Sequence, residues 1–471
     1  MVKSKIIDMS FCFKLRRFVL YAVVFFPVFA VYGYGQPSDT AGGHEKQTTV
    51  LMMSDIHFDP FVGGVAAELE KSPVSGWGDI LKGRGPGKMP DYMEDTNYTL
   101  LSSAMDGAGL MSKDIDCVLI DGDMLCHNFD AKCTLAGFRK KRVSFAIKTM
   151  EFISMMIERA LPGKIIYFVI GNNDSDNGDY NIIPGGKMLA ELSGYYSFLK
   201  GDASAAADFS KGGYCRLPFA SGKGTDLIML NDIFWSKKFK PEKKAAVKNP
   251  GADEMKWLKS ALKYDTVHGR KALIAMHIPA GTDAYLASRD KNCGHDDGFL
   301  LPEFNRQFLD LIKANSAVIS CVFSGHTHFD DFRVFSDKGS PYMSESIIPS
   351  VSPSHGNNPA FELVLMESGA RVRDKEVYYL SGFGGEGAKW ALEYSFCTAY
   401  GCDAYSLAGL SRAAGSIQTD QETMQKYLLY YSVSNPMMLP LLLRNSREYG
   451  CALTSGDSAE FSDCACVPGK N

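Results

Sequence analysis

Six unbroken apolar runs of strand length recur along the chain, and each ends in Asp, Asn or His. They are VLMMSDIHF from Val50, DCVLIDGDML from Asp116, KIIYFVIGNND from Lys164, GTDLIMLND from Gly224, KALIAMHIP from Lys271 and SAVISCVFSGHTH from Ser316. An apolar run without alternation marks a strand buried on both faces, so these predict a sheet interior whose polar groups emerge at one edge. Helix-compatible stretches lie between them at Asn97 to Ala108, Leu135 to Glu158, Asp253 to Leu262 and Pro302 to Ala314. The alternation predicts an α/β layered domain, and the polar ends are too numerous for a single crevice, so more than one sheet is expected. The run VYYLSG at 377–382 reads as a further strand and the segment from Gln418 as a helix. Glycine-rich Pro60 to Pro90 and Lys237 to Pro250 read as loops.

The ends of the chain differ in character. Residues 1–35 carry Lys3, Lys5, Lys14, Arg16 and Arg17 against Asp8 alone, followed by the apolar run Phe18 to Tyr32. That run is shorter than the roughly 20 residues a membrane span needs, so it predicts an export signal, with an uncleaved N-terminal anchor as the alternative. Residues 36–49 read as a flexible lead-in, 50–370 as the catalytic body and 371–471 as a C-terminal subdomain laid on it. An exported or periplasmic protein is expected, with membrane association as a further expectation. With 12 cysteines in 471 residues, export makes local bridges plausible: Cys126 with Cys133, Cys397 with Cys402, and Cys451 with Cys464 or Cys466. Cys117 and Cys321 sit inside apolar runs and read as buried thiols. Asn97-Tyr98-Thr99 is a glycosylation sequon, and His295 reads as a loop residue.

Charge excludes one class of partner. Five of the 50 basic and one of the 54 acidic residues lie in the signal, so the remainder carries a formal charge of −8. Nucleic acid is not held by bulk attraction. No long amphipathic segment is present, although a short apolar loop within 60–90 or the C-terminal region suffices for transient membrane contact. Oligomeric state is not legible.

The chemistry lies in the strand ends taken together. Asp55 and His57 in SDIH, and His326 and His328 in GHTH, are two apart, a spacing that in an extended segment puts both side chains on one side. Asp123 and Asn172 each follow a glycine after an apolar run, and His277 ends another. Seven hard or borderline donors of this kind suit two divalent ions of the Zn, Mn or Fe type, with one carboxylate bridging. Singly, each residue reads as easily as a turn or helix cap.

In order, SDIH, GD, GNND, HIP and GHTH resemble the calcineurin-like metallophosphoesterase superfamily over about residues 50–370. The resemblance implies a four-layer α/β/β/α sandwich with a mainly helical, cysteine-containing C-terminal subdomain. It implies one metal on Asp55, His57 and His328, a second on Asn172, His277 and His326, Asp123 bridging, and a metal-bridging hydroxide as nucleophile. DIHFDP, GDMLCH, HIPAG, GHTHFDDF and SPSHGNNPAF bring the chain nearer the acid sphingomyelinase-like phosphodiesterases. That likeness makes His127 the candidate proton donor and places His355 near substrate. One departure stands out. The superfamily usually has a histidine after the metal-binding Asn, whereas Asn173 occupies that place here, as in endopolyphosphatases. An amide donates a hydrogen bond but is no general acid near neutral pH. Asp174 is expected to orient a ligand histidine or to cap a turn. The expected substrate is therefore a phosphoester of a small molecule, lipid headgroup, nucleotide or polyphosphate. A metal-containing binding protein weakened by Asn173 is the non-enzymatic alternative.

Overall fold

The computed structural model describes residues 47–84, 87–219, 224–241, 247–290 and 298–466. The expected export signal, most of the lead-in, Cys293 and His295 lie outside them. The strands are β1 (Thr48–Met53), β2 (Cys117–Asp121), β3 (Ile165–Val169), β4 (Cys215–Pro218), β5 (Thr225–Met229), β6 (Lys271–Ala275), β7 (Ile319–Ser324), β8 (Asp331–Asp337), β9 (Ser340–Ile347), β10 (Ala360–Met366), β11 (Val372–Ser381) and β12 (Lys389–Ser395). They form two six-stranded sheets, in the orders β12-β11-β10-β1-β2-β3 and β4-β5-β6-β7-β9-β8. All six apolar runs are strands, three in each sheet. Within each trio neighbours are parallel, β1–β2–β3 and β5–β6–β7, so their C-terminal ends are delivered together. Helices Tyr98–Leu110 and Arg142–Ala160 and helices Pro250–Val267 and Pro302–Ala314 supply the outer layers of an α/β/β/α sandwich.

Local chemistry explains where expectation and structure part. The helix expected over Leu135 to Glu158 is broken: Phe129–Leu135 ends before Gly137 at φ 85°, and Arg142–Ala160 starts afresh. Pro60 to Pro90 is no mere loop, because it holds helices Ala66–Lys71 and Trp77–Arg84. Buried Trp77, whose Nε1 donates to the Leu69 carbonyl at 2.9 Å, pins them together. The described part of Lys237 to Pro250 has neither helix nor strand before Pro250 opens its helix. Asn97 is not an open glycosylation acceptor. It is buried, caps helix Tyr98–Leu110 through the Leu100 amide, and donates to the Lys88 carbonyl.

β11 and β12 extend the first sheet, and from Phe396 the chain is mainly helical, including Leu407–Thr419, Gln421–Tyr431, Ser446–Ala452 and Ser458–Ala465. Disulfides join Cys397 to Cys402 and Cys451 to Cys464. The expected Cys126–Cys133 bridge is absent. Both thiols are buried and unpaired, and Cys126 lies beside Asp59 and Asp95. Cys117 and Cys321 are buried thiols. Among the described residues no helix is long and apolar enough to cross a membrane.

Candidate metal centre

The parallel strands converge on one cluster. Asp55 and His57 follow β1, Asp123 follows β2, Asn172 follows β3, His277 follows β6, and His326 and His328 follow β7. Asp123 Oδ2 lies 3.5 Å from His57 Nε2 and 3.4 Å from His277 Nε2, so one carboxylate oxygen stands between two groups. On one side His57 Nε2 and His328 Nε2 are 3.1 Å apart, with Asp55 Oδ1 at 3.6 Å and 3.3 Å. On the other, Asn172 Oδ1 is 3.1 Å from His277 Nε2, and the ligand atoms of Asp123, His277 and His326 lie within 4.8 Å of one another. All but His326 are buried.

The donor set fits cations. Asp55 Oδ1 is fully buried and accepts no hydrogen bond, a costly arrangement for a carboxylate without positive charge beside it. Burial alone would lower His57, yet Asp55 and Asp123 together push its imidazole up to about 9. His277 is driven in the same direction against burial by Asp123. Closely spaced carboxylates and imidazoles that draw positive charge are the donors of a dinuclear divalent site.

The geometry is not that of extended segments. β1 ends at Met53 and β7 at Ser324, and Asp55, His57, Asp123, His326 and His328 adopt φ of 49°, 45°, 51°, 67° and 69°. Asp55 and His57 come together through left-handed turns, not a pleat, and strain of this kind concentrates at functional sites. The GHTH pair is consequently divided, with His326 beside Asp123 and His277, and His328 beside His57.

Two glycines permit the approach. A Cβ on Gly171 would sit 2.1 Å from the Asp123 amide nitrogen, and one on Gly325 would sit 1.9 Å from Ser54 Oγ. Gly171→Ala must displace backbone at the Asp123 carboxylate shared by the two groups, so a stability loss of about 1–3 kcal/mol is expected together with metal loss. Thermal melting and metal analysis check this; a variant with native melting and two metals would refute the packing argument.

Surrounding hydrogen bonds hold the donors. His57 Nδ1 and His277 Nδ1 lie 3.0 Å and 2.8 Å from the carbonyls of Leu125 and Asp121. Asn172 Nδ2 donates to Asp179 Oδ1 at 2.6 Å. Asp174 touches no ligand histidine: it accepts from the amides of Met124, Leu125 and Gly171, fixing the turns that carry Asp123 and Asn172, and burial pushes its carboxyl up to about 7. Asp232 does the same for the His277 and Ile278 amides. Asn173 is committed to Asp123, its amide nitrogen donating to Oδ2 at 2.8 Å and its backbone N–H to Oδ1 at 2.7 Å.

His127 stacks on His57 with centroids 4.0 Å apart. Asp95 grips it, Oδ1 at 2.6 Å from Nδ1 and Oδ2 accepting its backbone N–H. Lys132 donates to Asp59 at 2.7 Å and to Asp95 at 3.2 Å. Burial would raise Asp95, but the His127 hydrogen bond and neighbouring cations hold it at about 2. His127, Asp95, Lys132, Met93 and His355 line a cavity of about 720 Å³ beside the metal donors.

A family model described as calcineurin-like phosphoesterase matches residues 48–330. The chain belongs to this family. Among the similar curated proteins, the phosphoesterase is 26% identical over 447 residues to the Rattus norvegicus cyclic GMP-AMP phosphodiesterase SMPDL3A, covering 92% of this chain and 95% of that one. It is 26% identical over 407 residues to the Homo sapiens acid sphingomyelinase-like phosphodiesterase 3b, covering 81% and 82%. The structure of a dimetal phosphatase from Danio rerio aligns with a TM-score of 0.39 at 11% identity, covering 73% of this chain and 98% of that one.

The phosphoesterase thus brings Asp55, His57, Asp123, Asn172, His277, His326 and His328 into one centre, the arrangement of a metal-dependent enzyme. His127 and Asn173 adjoin it. Sequence reasoning overlooked Asp95, Lys132, Asp179 and Asp232. Asp232 ends one of the six apolar runs and was open to discovery by the same signal; Asp95, before a helix cap, carried none.

Proposed function

We propose that this phosphoesterase hydrolyses a small phosphodiester, either a phosphocholine lipid or a nucleotide diester, in an exported setting. The observation that carries the reading is the His127–Asp95 pair at the wall of a cavity beside the metal donors. Asp55, His57 and His328 would hold one divalent cation of the Zn, Mn or Fe type and Asn172, His277 and His326 a second, with Asp123 shared, and the pair would supply Lewis acidity and lower the pKa of a water. The chain's own groups do the rest. Asp95 engages His127 Nδ1 and leaves Nε2 to give a proton to the departing ester oxygen. Asn173 holds the shared carboxylate in register, and Asp174 holds the turns beneath it. The names of the acid sphingomyelinase-like and cyclic GMP-AMP phosphodiesterase relatives support diester cleavage, and the disulfides among the described residues support export.

Asn173 favours one second reading. A side chain bound to Asp123 and unable to donate a proton suits a leaving group that needs little protonation, as in polyphosphate or a nucleoside triphosphate. Turnover of bis-p-nitrophenyl phosphate, p-nitrophenyl phosphate, sphingomyelin, ATP and polyphosphate, measured with metal content, tests both. Diesters are expected to lead monoesters by at least about tenfold, a difference near 1.4 kcal/mol. Polyphosphate in the lead would replace the diester reading, and no turnover with two metals bound would leave a binding protein.

A further inference from the structure

The loop from Ser352 to Pro359 is held firmly yet presents an exposed imidazole to the cavity. Buried Asn357 donates through its amide to the carbonyls of Ser350, Ser352 and Asn358 at 3.3 Å, 3.0 Å and 3.1 Å. Asn435 of the helical subdomain donates to the Gly356 carbonyl at 2.6 Å. Asn358 donates to the Val433 carbonyl at 2.7 Å and accepts from the Tyr92 hydroxyl at 2.6 Å. Val433 and Ser434 adopt φ of 53° and 52°, a region costly for a β-branched residue, so the subdomain carries strain where it grips the loop. Such a grip is more than an ornamental surface loop needs.

At the tip stand Ser354 and His355. The His355 ring lies 3.8 Å from the His328 ring and 5.9 Å from that of His127, centroid to centroid. Asn173, by contrast, spends its amide on Asp123. We propose that His355 is a further catalytic residue of the phosphoesterase, donating a hydrogen bond from Nε2–H to an oxygen of the reacting phosphate opposite His127.

The inference rests on the phosphoesterase reading and deepens it. A chain of contacts selects the required tautomer. An imidazole that gives Nε2 to a cation keeps its proton on Nδ1. His328 Nε2 faces Asp55 and His57, so with a cation held there His328 would keep its proton on Nδ1 and donate it to Ser354 Oγ, 3.2 Å away. The Ser354 hydroxyl is then free to donate to His355 Nδ1 at 3.4 Å, which leaves the His355 proton on Nε2. A neutral donor already oriented where charge accumulates stabilises the transition state without changing its own charge.

The test uses the full metal-loaded chain and its His355→Ala, His355→Gln and Ser354→Ala variants. Three quantities are read: kcat on the preferred substrate, metals per chain, and affinity for orthovanadate as a phosphoryl probe. His355→Ala is expected to keep two metals, lose roughly 10²-fold in kcat and bind orthovanadate about tenfold more weakly. His355→Gln, whose amide supplies an N–H at similar reach, is expected to restore most of both, and Ser354→Ala to fall between. A His355→Ala variant within about twofold of native in kcat and orthovanadate affinity would overturn the proposal, as would a His355→Gln variant as impaired as alanine. Metal loss from His355→Ala would assign the ring to packing against His328 and overturn it too. If the native chain with two metals turns over nothing, the proposed function fails, while the orthovanadate affinities still decide the role of His355.

Discussion

Asp123→Ala is expected to abolish turnover and release at least one metal per chain. Asp123 Oδ2 stands within 3.5 Å of imidazole nitrogens from both groups, His57 and His277, and both Asn173 donors converge on the same carboxylate. Alanine therefore removes the shared anion, parts the two cation positions and strands two buried donors. A divalent site contributes several kcal/mol of charge stabilisation to phosphoryl transfer, so a fall of at least about 10³-fold follows. Asp123→Asn separates charge from shape: it keeps an acceptor for the Asn173 backbone N–H but not the anion, and the same collapse is expected. Elemental analysis with turnover decides the matter. Two metals per chain and activity within about tenfold of native would rule out Asp123 as the bridge.

His127→Ala is expected to cost roughly 10²- to 10⁴-fold in kcat with both metals retained. The ring is tied through Nδ1 to Asp95, itself held by Lys132, and stacks on His57 at the cavity wall. The loss must depend on the leaving group. A p-nitrophenolate departs with little protonation, so the defect is expected to be largest on an alkyl ester and smallest on bis-p-nitrophenyl phosphate. Asp95→Asn frees the imidazole while leaving it in place, with an expected loss of about 10- to 100-fold. Equal defects on both leaving groups would argue against proton transfer. Metal loss from His127→Ala would make the ring a ligand beside His57 and His328, whose ligand atoms lie within 4.8 Å of it and of each other.

Some of this was legible in the chain. A strand buried on both faces leaves an unbroken apolar run, and polar residues closing six such runs were visible as candidate donors. Less was visible where burial and polarity conflict. β9, SPYMSESI, reads as polar, yet Ser344, Glu345 and Ser346 are buried, with Glu345 accepting from the Ala280 amide. Asp95 lies 32 residues before His127 in a stretch that resembles an ordinary helix start. Cys126 and Cys133 showed the spacing of a local bridge, but spacing does not say which way two buried thiols face.

What the sequence determined by itself was the inventory: which residues are candidate metal donors, that they end buried strands, and that Asn173 stands where a proton donor was expected. Tertiary structure decided the assignment. It put three of the six runs in each sheet, divided His326 from His328, and brought His57 to 3.1 Å from His328 across 271 residues. The physical reason is one of range. Polarity and periodicity are local, whereas ångström-scale convergence depends on the register of parallel strands and on left-handed turns at Asp55, His57, Asp123, His326 and His328, held by hydrogen bonds from distant residues.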